Sequence, residues 1–101
     1  MSGNGEGERR VLAAGRSIGA AEVEDLRGRL KALVDGGARH LVLDMDAVEI
    51  LDSMGIGLLV AAHNTLRGVG GVFEVVNASP DVFNLLRTMR LDKHFSIGRK
   101  A

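Results

Sequence analysis

The residue pattern predicts an α/β domain, a mostly parallel four-stranded sheet with helices packed on it. Four short apolar runs, Val11–Ala14, His40–Met45, Val72–Val76 and Phe95–Ile97, are too brief for helices and read as strands. Between them lie three segments in which apolar residues recur every third or fourth position, the period of a helix with one buried face. Strands that alternate with helices favour parallel pairing through right-handed crossovers.

Residues 1–8 carry three glycines and no large apolar side chain except Met1. They read as a disordered head, and residues 9–101 as one domain. Val11-Leu12-Ala13-Ala14 is a weak strand closed by Gly15. Over Ala21–Asp35 the pattern turns helical: Val23, Leu26, Leu30, Leu33 and Val34 share one face, with Glu22, Arg27 and Lys31 opposite. Gly36-Gly37 stops that helix with a left-handed cap. The run from His40 to Met45 has the continuous apolar character of a strand buried on both sides. Ser53–Leu66 is the second helix, with Met54, Leu58, Leu59, Ala62 and Leu66 along one side and His63, Asn64 and Arg67 outward or at the rim. Gly68–Gly71 breaks it, and Val72–Val76 follows as a strand. Ser79-Pro80-Asp81 is a strong helix start, combining a hydroxyl N-cap, a proline in the first turn and an acid at the positive dipole end. Val82, Leu85, Leu86 and Met89 carry the core face of that third helix. Phe95-Ser96-Ile97 completes the pattern as an edge strand.

Composition excludes several classes of function. Thirteen basic residues balance thirteen acidic ones, so no net charge draws the chain to nucleic acid or an anionic membrane. Three phenylalanines, with no tyrosine or tryptophan, provide no aromatic platform for bases. Without cysteine there is no disulfide, thiolate nucleophile or Cys-based zinc site. The first residues lack the basic and then apolar regions of a signal peptide, and the run from Met54 to His63 is about half a membrane span. The expectation is a cytoplasmic protein with no membrane insertion.

One segment carries chemistry: Val48-Glu-Ile-Leu-Asp-Ser-Met-Gly-Ile-Gly-Leu-Leu59. A strand feeds a short turn, and the turn opens a helix at Asp52-Ser53. A helix start presents free backbone N–H groups and positive potential, which stabilise an added phosphate. Gly55 and Gly57 each cost a helix about 1 kcal/mol relative to alanine, which points to tight packing or to close approach by another surface. From spacing alone Ser53 reads either as an ordinary N-cap, the commoner role, or as a phosphate acceptor. Asp44, at a strand end nearby, either orients this loop or caps a turn.

The Leu-Asp-Ser-Met-Gly-Ile-Gly-Leu-Leu segment at the second helix start resembles the STAS domain, the sulfate-transporter and anti-sigma-factor-antagonist family. Ala38-Arg-His-Leu-Val-Leu-Asp44 before it, and Gly70-Gly71 with Asn77-Ala-Ser-Pro80 after it, extend the resemblance from about Val11 to Ile97. The resemblance implies an anti-sigma factor antagonist, a binding protein without enzymatic activity, cofactor or metal. Its implied partner is an anti-sigma factor with serine kinase activity. The unphosphorylated antagonist binds that partner and releases a sigma factor; phosphorylation, here at Ser53, breaks the complex, and a serine phosphatase reverses the mark. Asp52, Ser53, Met54, Gly55, Ile56 and Gly57 are the implied contact residues. The same fold also serves as a subunit of lipid-transport complexes and of stress-signalling assemblies.

Two positions depart from the family pattern. Met54 stands where a second small hydroxyl residue is common. The family usually opens with two strands and a Gly-x-Leu-Asp turn, whereas the corresponding stretch here, Gly15-Arg-Ser-Ile-Gly19, has no aspartate.

Catalytic alternatives fail on residue pattern. A serine-hydrolase elbow requires glycine two positions before the nucleophile, and Leu51 stands there. His40, His63 and His94 belong to no local motif for a general base or a metal, and Asp44 with Asp46 lacks the rest of a calcium loop.

Overall fold

A computed structural model describes residues 8–101. Its elements run β1 (Glu8–Ala13), β2 (Ser17–Ile18), α1 (Val23–Asp35), β3 (Ala38–Asp44), β4 (Ile50–Leu51), α2 (Ser53–Gly68), β5 (Val72–Ala78), α3 (Pro80–Thr88), a 3-10 turn (Leu91–Lys93) and β6 (Ser96–Arg99). The main sheet has the order β1-β3-β5-β6, and all three of its pairings are parallel. Glu8, assigned from composition to the head, is the first residue of β1. The rest of that head, residues 1–7, lies outside the described residues.

This strand order places the helices. Each crossover steps one position in the same direction across the sheet. Right-handed connections that all step the same way leave α1, α2 and α3 on one face. Strand side chains obey the same division: Leu41, Leu43, Phe73 and Val75 share one core with Leu26, Leu30, Leu58, Leu59, Leu66, Val82 and Leu86 of the helices. Side chains of opposite parity, His40 and Glu74 among them, lie on the face turned away, where His40 Nε2 meets Glu74 Oε1 at 2.5 Å.

Two elements escape any reading by pattern. β2 and β4 pair in parallel as a separate two-stranded sheet, Ser17 opposite Ile50 and Ile18 opposite Leu51. Two strands, β1 and β2, therefore precede α1 among the described residues, and Ser17 lies in a strand where its sequence neighbourhood suggests a loop. The Ser17 hydroxyl donates to Glu22 Oε1 at 3.1 Å, and the Gly19 N–H donates to the same oxygen at 3.0 Å. Those bonds hold residues 19–22 as a turn, so α1 begins at Val23 and not at Ala21.

Two methionines fall outside the faces that spacing gave them. Met54 and Met89 are about half exposed, at 52% and 51%. Met89 is the C-cap of α3, one residue past the last packed turn. Met54 lies in the first turn of α2, where the inward side is presented by Gly55. Ser79 caps α3 as its sequence signature predicts, accepting the Val82 N–H at 3.2 Å.

Candidate functional site

In open parallel sheets, the helix starts and connecting loops gather at the carboxyl ends of the strands. Here that edge holds β2, β4 and the beginning of α2. The connection from β3 to β4 is tied down by Asp44, whose Oδ1 accepts the Asp46 N–H at 2.9 Å and the Asn77 side-chain amide at 3.1 Å. Asp44 thus caps a turn and links it to β5. The Met45 N–H donates to the Val76 carbonyl at 2.9 Å, and Met45 and Val48 are buried beneath the loop.

The chain then enters α2 through Asp52, which is the N-cap. Its Oδ1 accepts the Gly55 N–H at 3.0 Å, the standard means of satisfying a first-turn amide. Its Oδ2 accepts the Ala20 N–H at 3.3 Å from the turn before α1. Its own N–H donates to the Ile18 carbonyl at 3.3 Å. One aspartate therefore caps the helix and fastens the β2–α1 turn to it. A Cβ at Gly19 would lie 2.7 Å from Asp52 Oδ2, so Gly19 leaves the space that this carboxylate fills. The missing aspartate of the Gly15–Gly19 stretch has this steric counterpart: a side chain at Gly19 would displace Asp52.

With the cap supplied by Asp52, Ser53 becomes the first helical residue and is exposed. Among the described residues its hydroxyl has no hydrogen-bond partner within the protein, and the N–H groups of Ser53 and Met54 have no backbone acceptor. The choice between cap and free hydroxyl, open from spacing, is decided in favour of the free hydroxyl. Around it Met54 and Gly57 are exposed, Ile56 is half-buried, and Ile50 on β4 is 57% exposed. Gly55 is buried: a Cβ there would strike the Ile18 carbonyl oxygen and sit 2.6 Å from Leu51 Cδ1. Of the six residues that the family resemblance implies as a contact surface, five reach the surface at least in part, and Gly55 supports them from below.

Ile18, Gly19 and Ile50 belong to this corner; they lie in the Gly15–Gly19 and Val48–Leu59 stretches, which no sequence period joins. Two-residue strands have no detectable periodicity, and only the pairing of Ser17-Ile18 with Ile50-Leu51 brings them here. No group of three metal-ligating side chains occurs among the described residues, and none of their helices is long and apolar enough to cross a membrane.

Asp52→Ala is expected to lower stability by about 1 kcal/mol through loss of the cap. Asp52→Asn, whose amide oxygen still accepts, should lose less. Thermal melts of the two variants beside wild type test this, and equal melting temperatures for Asp52→Ala and wild type would exclude a structural role for the carboxylate.

A family model for the STAS domain matches residues 6–100. BtrV of Bordetella bronchiseptica, assigned as an anti-sigma factor antagonist, is 31% identical over 65 residues, which span 64% of this chain and 56% of that protein. An anti-sigma factor antagonist from Mycobacterium paratuberculosis superposes with a TM-score of 0.79 at 29% identity, covering 89% of this chain and 76% of that one. The phosphorylated form of SpoIIAA, a Bacillus cell-fate determinant, superposes with a TM-score of 0.71 at 21% identity, covering 89% and 82%. With 95 consecutive positions matched and the same parallel sheet and helix order, this chain belongs to the STAS domain family.

Proposed function

We propose that this protein is an anti-sigma factor antagonist acting in the cytoplasm as a binding switch, with no catalysis of its own. Unphosphorylated, it engages an anti-sigma factor that is also a serine kinase, through the surface formed by Asp52, Ser53, Met54, Ile56 and Gly57. Engagement frees a sigma factor. Phosphoryl transfer to Ser53 ends it, and a serine phosphatase resets it.

The observation that carries this reading is the division of labour between Asp52 and Ser53. Asp52 satisfies the capping requirement of α2. The Ser53 hydroxyl is left exposed beside two amides without backbone acceptors, at the positive end of a 16-residue helix. A phosphate there gains donors and loses no structural hydrogen bond. The names of the relatives support the same reading, since BtrV and the Mycobacterium protein are described as anti-sigma factor antagonists and SpoIIAA has a phosphorylated form.

Two of the other serines are less suitable acceptors. Ser17 donates to Glu22, and Ser79 is engaged as the cap of α3. Incubation with the cognate kinase and ATP, followed by peptide mass spectrometry, is expected to find phosphate at Ser53 and none in the Ser53→Ala protein. Phosphate found mainly at Ser17, Thr65 or Thr88 would overturn the proposal.

A further inference from the structure

On the far half of α2, ten residues beyond Ser53 and so about 15 Å along the helix axis, the surface closes into a concavity of about 200 Å3 against the 3-10 turn. His63, Asn64 and Arg67 of α2 and His94 after the turn form its walls, and Leu91 and Phe95 lie at its base. The His63 ring is positioned by the core. Its centroid lies 5.6 Å from that of Phe95, and buried Phe95 meets Phe73 edge-on at 5.1 Å. The His94 ring centroid lies 6.1 Å from that of His63.

Charge within this hollow is of one sign. No carboxylate lines it, and Arg67 enters none of the ion pairs among the described residues. The nearest acid in sequence, Asp92, and its neighbour Lys93 are exposed on the same turn and do not line the hollow; nor do Arg87 and Arg90 of the α3 end, which are also exposed. Uncommitted donors converge here from two elements, and an acceptor is what they lack. A divalent metal fits poorly, because only two side chains of ligand type are present and Arg67 repels a cation.

We propose that this hollow is a binding site for a small oxyanion, a carboxylate, sulfate or phosphate group, held by Arg67 and by the imidazoles of His63 and His94. The site is separate from the Ser53 surface and does not depend on the reading of that surface. Arg67 presents a planar fork of donors suited to an oxyanion. Each imidazole carries a ring N–H that can donate to the same group. The occupant is either a free anion or an acidic side chain of a protein bound against α2.

Two anionic probes separate these sources: sulfate, and an end-blocked tripeptide with one central glutamate. The isotope-labelled full chain is titrated with each while the ring resonances of His63 and His94 are followed. Saturable shifts of both rings are expected. Tighter binding of the tripeptide assigns the site to a partner's side chain, and tighter binding of sulfate to a free anion. Arg67→Gln, at an exposed position, should weaken binding at least fivefold without moving the melting temperature. His63→Gln with His94→Gln should also weaken binding at least fivefold. Shifts that fail to saturate, that spread evenly over all basic residues, or that survive Arg67→Gln would overturn the proposal. So would zinc binding at these rings in the absence of any effect of either anion.

Discussion

Phosphorylation of Ser53 is expected to weaken partner binding by about four orders of magnitude while leaving the melting temperature within a few degrees of the unmodified protein. Converting a population from almost fully bound to almost fully free requires about 5.5 kcal/mol of differential affinity. No local structural term reaches that size. The helix-dipole contribution at the start of α2 is about 0.3–2 kcal/mol, and it favours the phosphate. The Ser53 and Met54 amides add donors, and no hydrogen bond of the Ser53 hydroxyl is lost because none is present among the described residues. The fold therefore tolerates the modification, and the penalty falls on the complex. Closing a partner over Ser53 would strip water from a group of charge about −1.5 to −2. The Asp52 carboxylate beside it adds repulsion and cannot swing away, because the amides of Gly55 and Ala20 hold it. Calorimetric titration of the anti-sigma partner with unmodified, phosphorylated, Ser53→Ala and Ser53→Asp proteins, each also melted alone, measures both halves. Ser53→Ala should bind constitutively and Ser53→Asp weakly. Fully phosphorylated protein that binds as tightly as the unmodified form would end the switch hypothesis, and a large drop in its melting temperature would replace it with unfolding.

The elements legible in the sequence are those long enough to carry a period. All four strands of the main sheet and all three helices announce themselves through apolar spacing, and Gly36-Gly37 and Ser79-Pro80 mark a helix end and a helix start through local chemistry. β2 and β4 are invisible because two residues define no period; their pairing across more than thirty positions makes them strands. Met54 and Met89 mislead for a related reason. Spacing assigns a residue to a helix face and says nothing of whether the sheet extends beneath that turn. At the candidate site, the motif marks the helix start correctly, yet Asp52 and Ser53 are both good caps in principle. The geometry of the Gly19-Ala20 turn, supplied from a distant part of the chain, gives the cap to Asp52.

That turn also separates the two glycines of the motif, and alanine at Gly55 and at Gly57 is expected to move stability in opposite directions. From sequence both carry the same cost, about 1 kcal/mol each in a helix, and the same two explanations, tight packing or approach by another surface. Gly55 has the first. Its Cβ would strike the Ile18 carbonyl, a backbone atom held in place by the pairing of β2 with β4 and by the Asp52 N–H, and Leu51 closes the remaining space. Overpacking of this kind costs about 1–3 kcal/mol or more and outweighs the propensity gain of alanine. Gly55→Ala should therefore melt on the order of 10 °C below wild type, at about 4–8 °C per kcal/mol for a domain of this size. Gly57 is exposed, and a Cβ added there would meet no atom within 4 Å, so the fold has no need of a glycine at this position. Gly57→Ala should gain about 1 kcal/mol and melt about 4–8 °C higher. A glycine that weakens its own helix without a packing reason is explained by the second alternative. Gly57 lies one turn beyond Ser53 on the same side of α2, where a partner's backbone could approach closely only in the absence of a side chain. Gly57→Ala should thus bind the anti-sigma partner at least tenfold more weakly while being the more stable protein. Melts and titrations on the two variants decide it: unchanged affinity in Gly57→Ala would remove this residue from the interface, and a lowered melting temperature would contradict the open space around it.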